Sequence, residues 1–233
     1  DNELTHFNAS LGLKPKQSMM VDSPFDYENQ ALLCLPRYLP ETHADNMPHA
    51  IVKLTLELIK SAKGRCFVLF TSYRMMHLVA EGLTTQMDYP VYMQGQMSKR
   101  IILEKFTRHG NAVLLGTASF WEGVDVRGST LSCVIIDKLP FAAPDDPLLQ
   151  ARMQDCQMQG KDPFAHIQLP QAVIALKQGV GRLIRDNKDK GVLVICDNRL
   201  VTRQYGQVFL KSLPPMRRTR SLEDANTFLK HIN

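Results

Sequence analysis

The sequence predicts an α/β domain with a parallel β-sheet that helices cover on both faces. Short apolar runs rich in Val, Ile, Leu and Phe alternate along the chain with longer segments of helical period. Such alternation is typical of repeated βαβ units, whose strands are buried on both faces and are therefore apolar throughout. The chain has 233 residues, of which 44% are hydrophobic, so it is long enough to bury a large core.

Six apolar runs are predicted to form the strands. They are Ala31–Leu35, Cys66–Thr71, Val91–Met93, Ala112–Gly116, Leu131–Asp137 and Val192–Asp197. The segment between the first two runs has Pro48 near its start and Gly64 just past its end. Proline suits the first turn of a helix and glycine the left-handed position after its last turn, so we predict a helix here. The helical period returns in Tyr73–Leu83 and Ser98–Thr107.

The domain boundaries follow from where this alternation stops. Two consecutive prolines after residue 213 interrupt the pattern. We therefore expect residues 1–213 to form one domain with a core of about 23–200. Residues 214–233 are expected to be a basic segment that ends in a short helix near Leu222–Ile232, and they are a candidate interaction tail.

Composition narrows the classes of protein further. No apolar run approaches the roughly 18 to 20 residues that a membrane-spanning helix needs. The five cysteines form no C-x-x-C pair and lie mostly in strand-like runs, so we expect reduced core residues of a cytoplasmic protein and no metal site. The chain begins with Asp1 and has no signal-peptide pattern, which leads us to expect a piece cut from a larger protein.

The charge of the chain suits a polyanionic partner. The formal net charge is +5, and cationic residues concentrate in Lys99–Arg108 and Lys211–Arg220. A patch that contacts phosphates and an ordinary solvated surface are both compatible with these clusters.

The segment Pro170–Asp186 is predicted to be one helix with a polar row on one face. At about 100° per residue, Gln178, Arg182 and Arg185 fall within roughly a 60° sector, opposite the apolar side chains. Two guanidinium groups on adjacent turns match the oxygens of a phosphate chain and the charge that spreads over them during transfer. The row is therefore a candidate phosphate site.

Two glycines lie beside this polar row. Gly179 and Gly181 each lower helix stability by about 1 kcal/mol relative to alanine, which suggests that a bulky ligand approaches the backbone there. The alternative is an exposed basic face that Asp186 and Asp189 neutralise. Helical geometry by itself does not decide between these two interpretations.

The loop Gly116–Gly128 follows a predicted strand and carries several polar side chains. Ligands of parallel sheets bind at the carboxyl ends of the strands, so this is where chemistry is expected. Thr117 and Ser119 are small donors that can lie against a sugar-phosphate backbone, and Glu122 and Asp125 suit a ribose hydroxyl or a cation.

Two aromatic residues and a second hydroxyl pair complete the candidates. Phe120 and Trp121 could stack on bases; we favour the core for Phe120 and leave both roles open for Trp121. Thr71 and Ser72 lie between a strand end and a helix start, where amide groups attract phosphate. The alternative for Ser72 is an ordinary helix N-cap.

Five motifs occur in an order that resembles a known family. They are FTSY at Phe70–Tyr73, QG at Gln94–Gly95, SFWEGVDV at Ser119–Val126, IIDKLPF at Ile135–Phe141 and QGVGRLIRD at Gln178–Asp186. Together they resemble the second RecA-like motor domain of the XPD/DinG helicases of superfamily two, over about Ser23–Leu200. SPFDY at Ser23–Tyr27 and DDPLLQARM at Asp145–Met153 are most similar to the bacterial YoaA/DinG branch.

This resemblance implies an ATP-dependent 5′-to-3′ DNA helicase of DNA repair and replication, with ATP and Mg²⁺ held between two motor domains. The chain contains neither G-x-x-x-x-G-K-[ST] nor D-E-x-H, so it is expected to be inactive by itself. A 4Fe–4S cluster is expected only in the first motor half, because the cluster-binding cysteines have no counterparts here.

The resemblance also implies roles for single residues. Gln178, Arg182 and Arg185 match the motif that faces the nucleotide, with Arg185 as the arginine finger and Arg182 beside it on the γ-phosphate. The remaining assignments are nucleotide contacts at Glu122, Gly123, Asp125 and Gly181, and DNA contacts at Thr71, Ser72, Gln94, Thr117, Ser119 and Trp121.

A rival hypothesis treats the chain as a non-catalytic module that docks a subunit of the replication machinery. It is motivated by the basic segment Lys211–Arg220 and the helix after it. The implied partners are single-stranded DNA, the N-terminal helicase half and, as a further candidate, the accessory subunit χ of the DNA polymerase III clamp loader. No membrane partner is expected.

Overall fold

A computed structural model describes residues 8, 12–14, 19, 23–117, 120, 126 and 130–233. The strands within these residues are β1 (Ala31–Cys34), β2 (Cys66–Leu69), β3 (Val91–Met93), β4 (Val113–Gly116), β5 (Cys133–Ile136), β6 (Gly191–Ile195) and β7 (Arg217–Thr219). They form one sheet in the order β3-β4-β2-β5-β6-β1-β7, and each neighbouring pair is parallel. The α/β class and the six predicted strands are confirmed.

Helices cover both faces of this sheet. They are α1 (Tyr27–Gln30), α2 (Met47–Ala62), α3 (Tyr73–Thr84), α4 (Lys99–His109), α5 (Pro147–Met158), α6 (Leu169–Val180), α7 (Arg199–Thr202), α8 (Gly206–Ser212) and α9 (Leu222–Ile232), with a π-helical turn at Phe164–Gln168. One core lies between the sheet and α2, α3 and α9, and the other between the sheet and α4, α6 and α8.

The five internal strands, β1, β2, β4, β5 and β6, are apolar throughout because successive side chains enter these two cores in turn. Phe67 and Leu69 of β2 belong to the core under α4 and α6, whereas Cys66 and Val68 belong to the core under α2 and α3. Fully burying such a side chain contributes about 1.5–3 kcal/mol. A central strand buried on both faces therefore shows a continuous apolar run instead of an alternating one.

The predicted start and end of the first long helix are confirmed. Pro48 lies in the first turn of α2, where its missing N–H removes no helical hydrogen bond. The helix ends on two left-handed residues, Lys63 with φ 51° and Gly64 with φ 86°. A side chain at position 64 would come within 2.6 Å of the backbone carbon of Asn111, so this turn needs glycine.

The prediction that one helix continues to Asp186 is wrong. Helix α6 ends at Val180. The amides of Arg182 and Leu183 then donate to oxygens three residues back instead of four, those of Gly179 at 3.2 Å and Val180 at 3.0 Å. Glycine at position 181 weakens helix propagation. Beyond it, the carboxylate of Asp189 accepts the amides of Arg185 and Asp186, both at 2.9 Å, and so replaces the helical acceptors.

The boundary predicted at residue 213 does not divide the structure. Strand β7 pairs with β1, and α9 packs on α2 with Ala225 and Leu229 fully buried. The two prolines end a helix, but an extended connection to an edge strand tolerates proline because it needs few backbone donors. Residues 214–233 therefore belong to the same folded unit, and their role in binding a partner stays a prediction.

The cysteines all lie in the core, as predicted. Burial raises the pKa of the Cys34 thiol to about 12, so this side chain stays protonated and unreactive at neutral pH. None of the helices in the described part of the chain combines the length and the apolar character that a bilayer crossing requires.

Candidate functional site

Polar side chains meet at the carboxyl edge of the sheet, where β2 and β5 end. Asp137 follows β5 and is only 2% exposed. Its Oδ1 accepts the amides of Thr71 at 3.0 Å and Lys138 at 2.8 Å, and its Oδ2 accepts the Thr71 hydroxyl at 3.4 Å. The carboxyl group therefore fixes both the backbone and the side chain of Thr71, the first predicted DNA contact.

Burial makes Asp137 an unusual carboxyl group. Desolvation raises its pKa to about 7, against the opposing effects of Lys138 and of the hydrogen bonds from Thr71. The sequence analysis did not select this residue as a site residue. A signal was present nonetheless, because an acidic residue ends an otherwise apolar strand.

A second set of bonds joins three elements on the same edge through Gln94. Its Oε1 accepts the amide of Thr117 at 2.7 Å and the Thr117 hydroxyl at 3.0 Å, and its Nε2 donates to the phenol oxygen of Tyr73 at 2.6 Å. Gln94 thus links the ends of β3 and β4 to the start of α3. Gln94 is 9% exposed and Thr117 is 5% exposed.

This burial changes the predicted roles of both residues. The donors of Thr117 are directed to Gln94, so neither side chain presents a surface for direct contact with DNA in the described structure. They instead hold the surrounding backbone in place. Direct contact remains a prediction for Thr71 and Ser72, which are half-buried.

Ser72 caps α3, as the simpler alternative predicted. Its hydroxyl oxygen accepts the amide of Met75 at 3.3 Å. The cap and the phosphate role do not exclude each other, because a hydroxyl that accepts one bond still has a proton to donate. The same residue can therefore start the helix and contact an anion at its N-terminus.

The loop after β4 lies only partly within the described residues. Phe120 is 3% exposed, and a Cβ at Gly116 would lie 2.7 Å from the Phe120 Cβ. The core role for Phe120 is confirmed, and Gly116 is needed for this close approach. The other predicted site residues of the loop lie outside the described residues: Ser119, Trp121, Glu122, Gly123 and Asp125.

The segment 178–185, which we call the arginine segment, lies at the opposite, amino edge of the sheet. Gln30, directly before β1, donates its Nε2 to the backbone oxygens of Asp186 and Asp189, both at 2.9 Å. The Leu183 side chain packs against Gly191, the first residue of β6. These contacts hold the turn after α6 beside the starts of β1 and β6.

The predicted site residues of this segment differ in exposure. Gln178 and Gly181 are exposed, whereas Arg182 and Arg185 are half-buried and already make interactions within the chain. The three polar residues therefore lie near one edge of the sheet. Gln178 is at the end of α6, whereas Arg182 and Arg185 follow the helix, so the three do not share one helical face.

The two groups are separated by the length of a strand. Strand β6 has five residues, which at about 3.3 Å each gives roughly 15 Å between the edges. Thr71, Ser72, Gln94 and Thr117 lie on one side, and the segment 178–185 lies on the other. The carboxyl-end rule for parallel sheets does not point to the arginine segment, because this segment precedes β6; helical period and the family motif indicated it instead.

A partly buried ion pair at the end of β6 was also missed. Asp197 is 3% exposed, accepts the amide of Leu139 at 2.8 Å and binds Arg199 through Nε at 3.0 Å and Nη2 at 2.7 Å. This hydrogen-bonded pairing raises the pKa of Arg199. As with Asp137, the available signal was an acidic residue at the end of an apolar strand.

The donor set of the described residues suits phosphate better than metal. Guanidinium and hydroxyl groups are ligands for phosphoryl oxygens. No group of three or more His, Cys, Asp or Glu side chains in the described ranges is arranged to hold a metal ion. The residues in view could thus contact a nucleotide or a nucleic-acid backbone through its phosphates.

A wholly parallel seven-stranded sheet with helices on both faces is the α/β fold of RecA-like helicase domains. Residues 55–216 match the helicase C-terminal domain family, and the chain belongs to that family, in its XPD/DinG type. The resemblance inferred from the motifs is confirmed.

Two relatives show where in this family the chain lies. It is 55% identical over 229 residues to the ATP-dependent DNA helicase YoaA of Escherichia coli K12, covering 98% of this chain and 36% of that protein. It is 37% identical over 220 residues to the ATP-dependent helicase DinG of Mycobacterium tuberculosis, covering 94% of this chain and 33% of that protein. The chain spans about a third of the length of these relatives.

A solved structure supports the fold independently. The structure "XPD_APO" superposes with a TM-score of 0.67 at 21% identity, over 92% of this chain and 46% of that one. At this identity the likeness shows the fold alone.

Proposed function

We propose that this chain works as the second motor domain of an ATP-dependent DNA helicase, with ATP bound between it and a first motor domain. The proposal is supported by the similarity to YoaA and DinG, which are named as ATP-dependent helicases. The observation that carries it is the division of the polar groups between two edges of one sheet. A motor that moves along DNA needs one surface for phosphoryl transfer and another for the strand.

On the amino edge, Arg185 is the proposed arginine finger and Arg182 its companion on the γ-phosphate, with Gln178 beside them. When bound, ATP with Mg²⁺ supplies the phosphoryl group whose transfer drives movement. The guanidinium groups would stabilise charge on that group, an effect on the order of 10³–10⁵ in rate for arginine fingers. Because both arginines already interact within the chain, closure of the two domains must exchange those interactions for the nucleotide.

Gly181 fits this arrangement. A Cβ at this position would lie 3.4 Å from the Lys177 carbonyl oxygen and 3.7 Å from that of Gln178, which are ordinary contacts. The fold therefore does not itself demand glycine there, and an absent side chain leaves room for a ligand to approach the turn. Glu122, Gly123 and Asp125 are proposed to complete the nucleotide contacts.

On the carboxyl edge, Ser72 is proposed to donate its hydroxyl to the phosphates of single-stranded DNA. Thr71 is proposed to do the same by exchanging its 3.4 Å hydroxyl bond to Asp137 for a phosphate oxygen. Gln94 and Thr117 would act as positioning residues, since their polar atoms bind one another and Tyr73. Ser119 and Trp121 remain proposed DNA contacts of the adjoining loop. The 5′-to-3′ direction, the 4Fe–4S cluster of the first half and the role in DNA repair and replication rest on the family resemblance, and the proposed cytoplasmic location rests on the cysteine pattern.

The direct test supplies the first motor domain. This chain would be assayed alone and together with that domain, in one polypeptide or as two, for ATP hydrolysis with and without single-stranded DNA. We expect no hydrolysis by this chain alone and DNA-stimulated hydrolysis by the combination. Hydrolysis by this chain alone, or none by a combination that forms a stable complex, would contradict the proposal.

A second candidate function is favoured by the position of β7. This strand pairs with β1 and ends the sheet, and such an edge can add a strand from another protein. A subunit of the replication machinery, such as χ of the DNA polymerase III clamp loader, is the proposed partner. The two functions can coexist, because the edge strand is part of the same folded unit.

Point variants test this second function better than truncation, because removing residues 214–233 would expose the core. Arg217 is exposed and lies over the ring of Phe228, with its guanidinium carbon 5.6 Å from the ring centroid. Arg217→Glu should weaken binding of purified χ in calorimetry, whereas Lys230→Glu, an exposed charge reversal at the end of α9, should not. Equal affinities for the two variants would count against this edge as the docking site.

A further inference from the structure

A cavity of about 870 Å³ lies at the carboxyl ends of β1, β6 and β7. Four arginines contribute to its lining, together with one acidic residue, Glu41. We call the surface formed by Arg37, Arg199, Arg203 and Arg220 the arginine pocket. Arg37 and Arg203 lie in none of the sequence motifs, and Arg220 appears there only as the end of the basic segment Lys211–Arg220.

The structure holds the elements of this pocket together. Arg199 is fixed by its bonds to the buried Asp197. The loop after β6 is tied to the loop after β1 by Asn198, whose Nδ2 donates to the Leu39 carbonyl at 2.8 Å. Arg220, directly after β7, donates Nε to the Leu35 carbonyl at 3.4 Å. The four arginines therefore line one cavity from segments that follow three strand ends and are bonded to one another.

The charge of the pocket is only partly compensated. Asp197 pairs with Arg199, but the described residues supply no carboxylate partner within ion-pair distance for Arg37, Arg203 or Arg220. All three side chains are exposed. Like charges that gather around one cavity repel one another, so the arrangement favours an anion with several negative groups.

The pocket lies on the same edge of the sheet as Thr71 and Ser72. Strands β2, β5, β6 and β1 are successive neighbours, and three spacings of about 4.8 Å separate the end of β2 from that of β1 by roughly 14 Å. A polymer that lies on Thr71 and Ser72 and continues across the ends of β5 and β6 reaches the pocket without leaving this edge.

We propose that the arginine pocket binds phosphate groups of the single-stranded DNA that Thr71 and Ser72 contact, and so extends the DNA path across β1, β6 and β7. This inference rests on the proposed DNA-binding function of the carboxyl edge. An aromatic side chain supports single-stranded DNA over an acidic peptide: Tyr38, next to Arg37, is 90% exposed. Basic grooves with exposed aromatic residues are typical of surfaces that bind single strands, because the rings stack on bases.

The test compares the DNA affinities of the wild-type protein and of two triple variants, each made in the full natural chain. The first variant combines Arg37→Gln, Arg203→Gln and Arg220→Gln. The control combines Lys53→Gln, Lys60→Gln and Lys230→Gln, which removes the same charge from exposed positions on α2 and α9. Fluorescence anisotropy with labelled oligothymidylates of increasing length, over a series of salt concentrations, gives the dissociation constants.

We expect the arginine variant to bind about tenfold or more weakly at low salt and to lose slope in a plot of log affinity against log salt. Three lost phosphate contacts correspond to a slope change of about 2 for single strands. The deficit should grow with oligomer length until the DNA spans both parts of the edge. The control variant should keep the wild-type affinity and slope to within the small effect of net charge.

Other outcomes separate the two proposals. Wild-type affinity and slope in a folded arginine variant would overturn the pocket assignment, leave the proposed function intact and point to an acidic protein partner instead. Failure of the wild-type protein to bind oligothymidylate would overturn both. If the triple variant unfolds, as judged by thermal denaturation, Arg37→Gln with Arg203→Gln gives the same test, because neither side chain bonds to the fold in the described structure.

Discussion

The carboxyl and amino edges of the sheet hold their polar residues by different means. At the carboxyl edge, the buried acceptors of Asp137 and Gln94 fix the donors of Thr71 and Thr117 across neighbouring strand ends. At the amino edge, the side chain of Asp189 holds a turn by its backbone amides, and this turn carries Arg182 and Arg185. The carboxyl-edge residues are held by bonds between strand ends, whereas the amino-edge arginines are carried by the turn between α6 and β6.

This difference corresponds to the two proposed tasks. A surface that contacts a DNA strand at many successive positions must keep its shape, and buried hydrogen bonds between the ends of β-strands provide that rigidity. Arginines that meet a phosphoryl group only when two domains close can be carried by a turn, because closure completes the site. The comparison predicts that variants at one edge change hydrolysis and variants at the other change DNA binding.

The largest separation is expected for Arg185→Ala in the full natural chain. DNA-stimulated ATP hydrolysis should fall on the order of 10³-fold, because the charge on the transferring phosphoryl group loses its stabilising partner. Affinity for oligothymidylate should stay close to the wild-type value. Lys188→Ala, an exposed cation in the same turn, is the control for net charge. Hydrolysis at the wild-type rate by Arg185→Ala would remove the arginine finger from this account.

A core variant should weaken both edges together. Leu229 of α9 is fully buried, so Leu229→Ala should lower the free energy of unfolding by about 2–5 kcal/mol in urea denaturation. Met158→Ala, which truncates a side chain that is 75% exposed, should change it by less than about 0.5 kcal/mol. A loss that small for Leu229→Ala would indicate that residues 214–233 form a separable tail after all.

Gln94→Ala should affect the carboxyl edge alone. The variant leaves the buried amide and hydroxyl of Thr117 without their acceptor, which costs about 1–3 kcal/mol of stability. DNA affinity should fall several-fold, whereas hydrolysis at saturating DNA should stay near the wild-type rate.

Two further variants test whether the hydrogen bonds of Gln94, and not only the volume of its side chain, hold the carboxyl edge in place. Gln94→Glu still accepts from Thr117 and can accept the Tyr73 hydroxyl proton, but it adds a negative charge at a buried position, so it should give an intermediate DNA affinity. Gln157→Ala, on the exposed surface of α5, should have no effect. Equal loss in Gln94→Glu and Gln94→Ala would show that the acceptor for Thr117 is not what matters.

The smallest expected effect is a pH dependence from Asp137. Its pKa is about 7 in the folded protein and about 3.9 in an unfolded chain. Between these values the folded state binds more protons than the unfolded state, so stability should decrease as the pH rises through this window. The slope is at most about 1.4 kcal/mol per pH unit.

The measurement is the free energy of unfolding of the wild type minus that of Asp137→Asn, across pH 4 to 7, so that other titrating groups cancel. The wild type should lose stability relative to the variant as the pH rises. Parallel curves would mean that Asp137 titrates normally in the folded protein.

The sequence predicted most of the fold because a strand that is buried on both faces is apolar at nearly every position. Six of the seven strands appear as apolar runs, namely the five internal strands and the edge strand β3. Strand β7 was missed because it is an edge strand with Arg217 and Arg218 exposed, and its formation depends on pairing with β1. Similarly, the end of α6 depends on Asp189, which binds backbone amides four and three residues earlier, and helical period cannot show that competition.

The candidate site was predicted less completely. Motifs identified Thr71, Ser72 and the arginine segment, but Asp137 and Asp197 were missed because their importance comes from burial at the ends of β5 and β6. The amino-edge position of Arg185 follows from the direction of the strand after it. Gln94 and Thr117 face inward at the carboxyl edge. The sequence did not predict this, because it depends on packing between strands that are distant in sequence.

The most direct measurement of the central claim is to map where each ligand lies. The full natural chain would be photo-crosslinked in parallel to an azido derivative of ATP and to oligothymidylate containing 4-thiothymidine, and the modified peptides identified by mass spectrometry. The account predicts nucleotide crosslinks in the segment 178–190 and DNA crosslinks around Thr71 and Ser72. DNA crosslinks in the segment 178–190, or nucleotide crosslinks at Thr71 and Ser72, would contradict it.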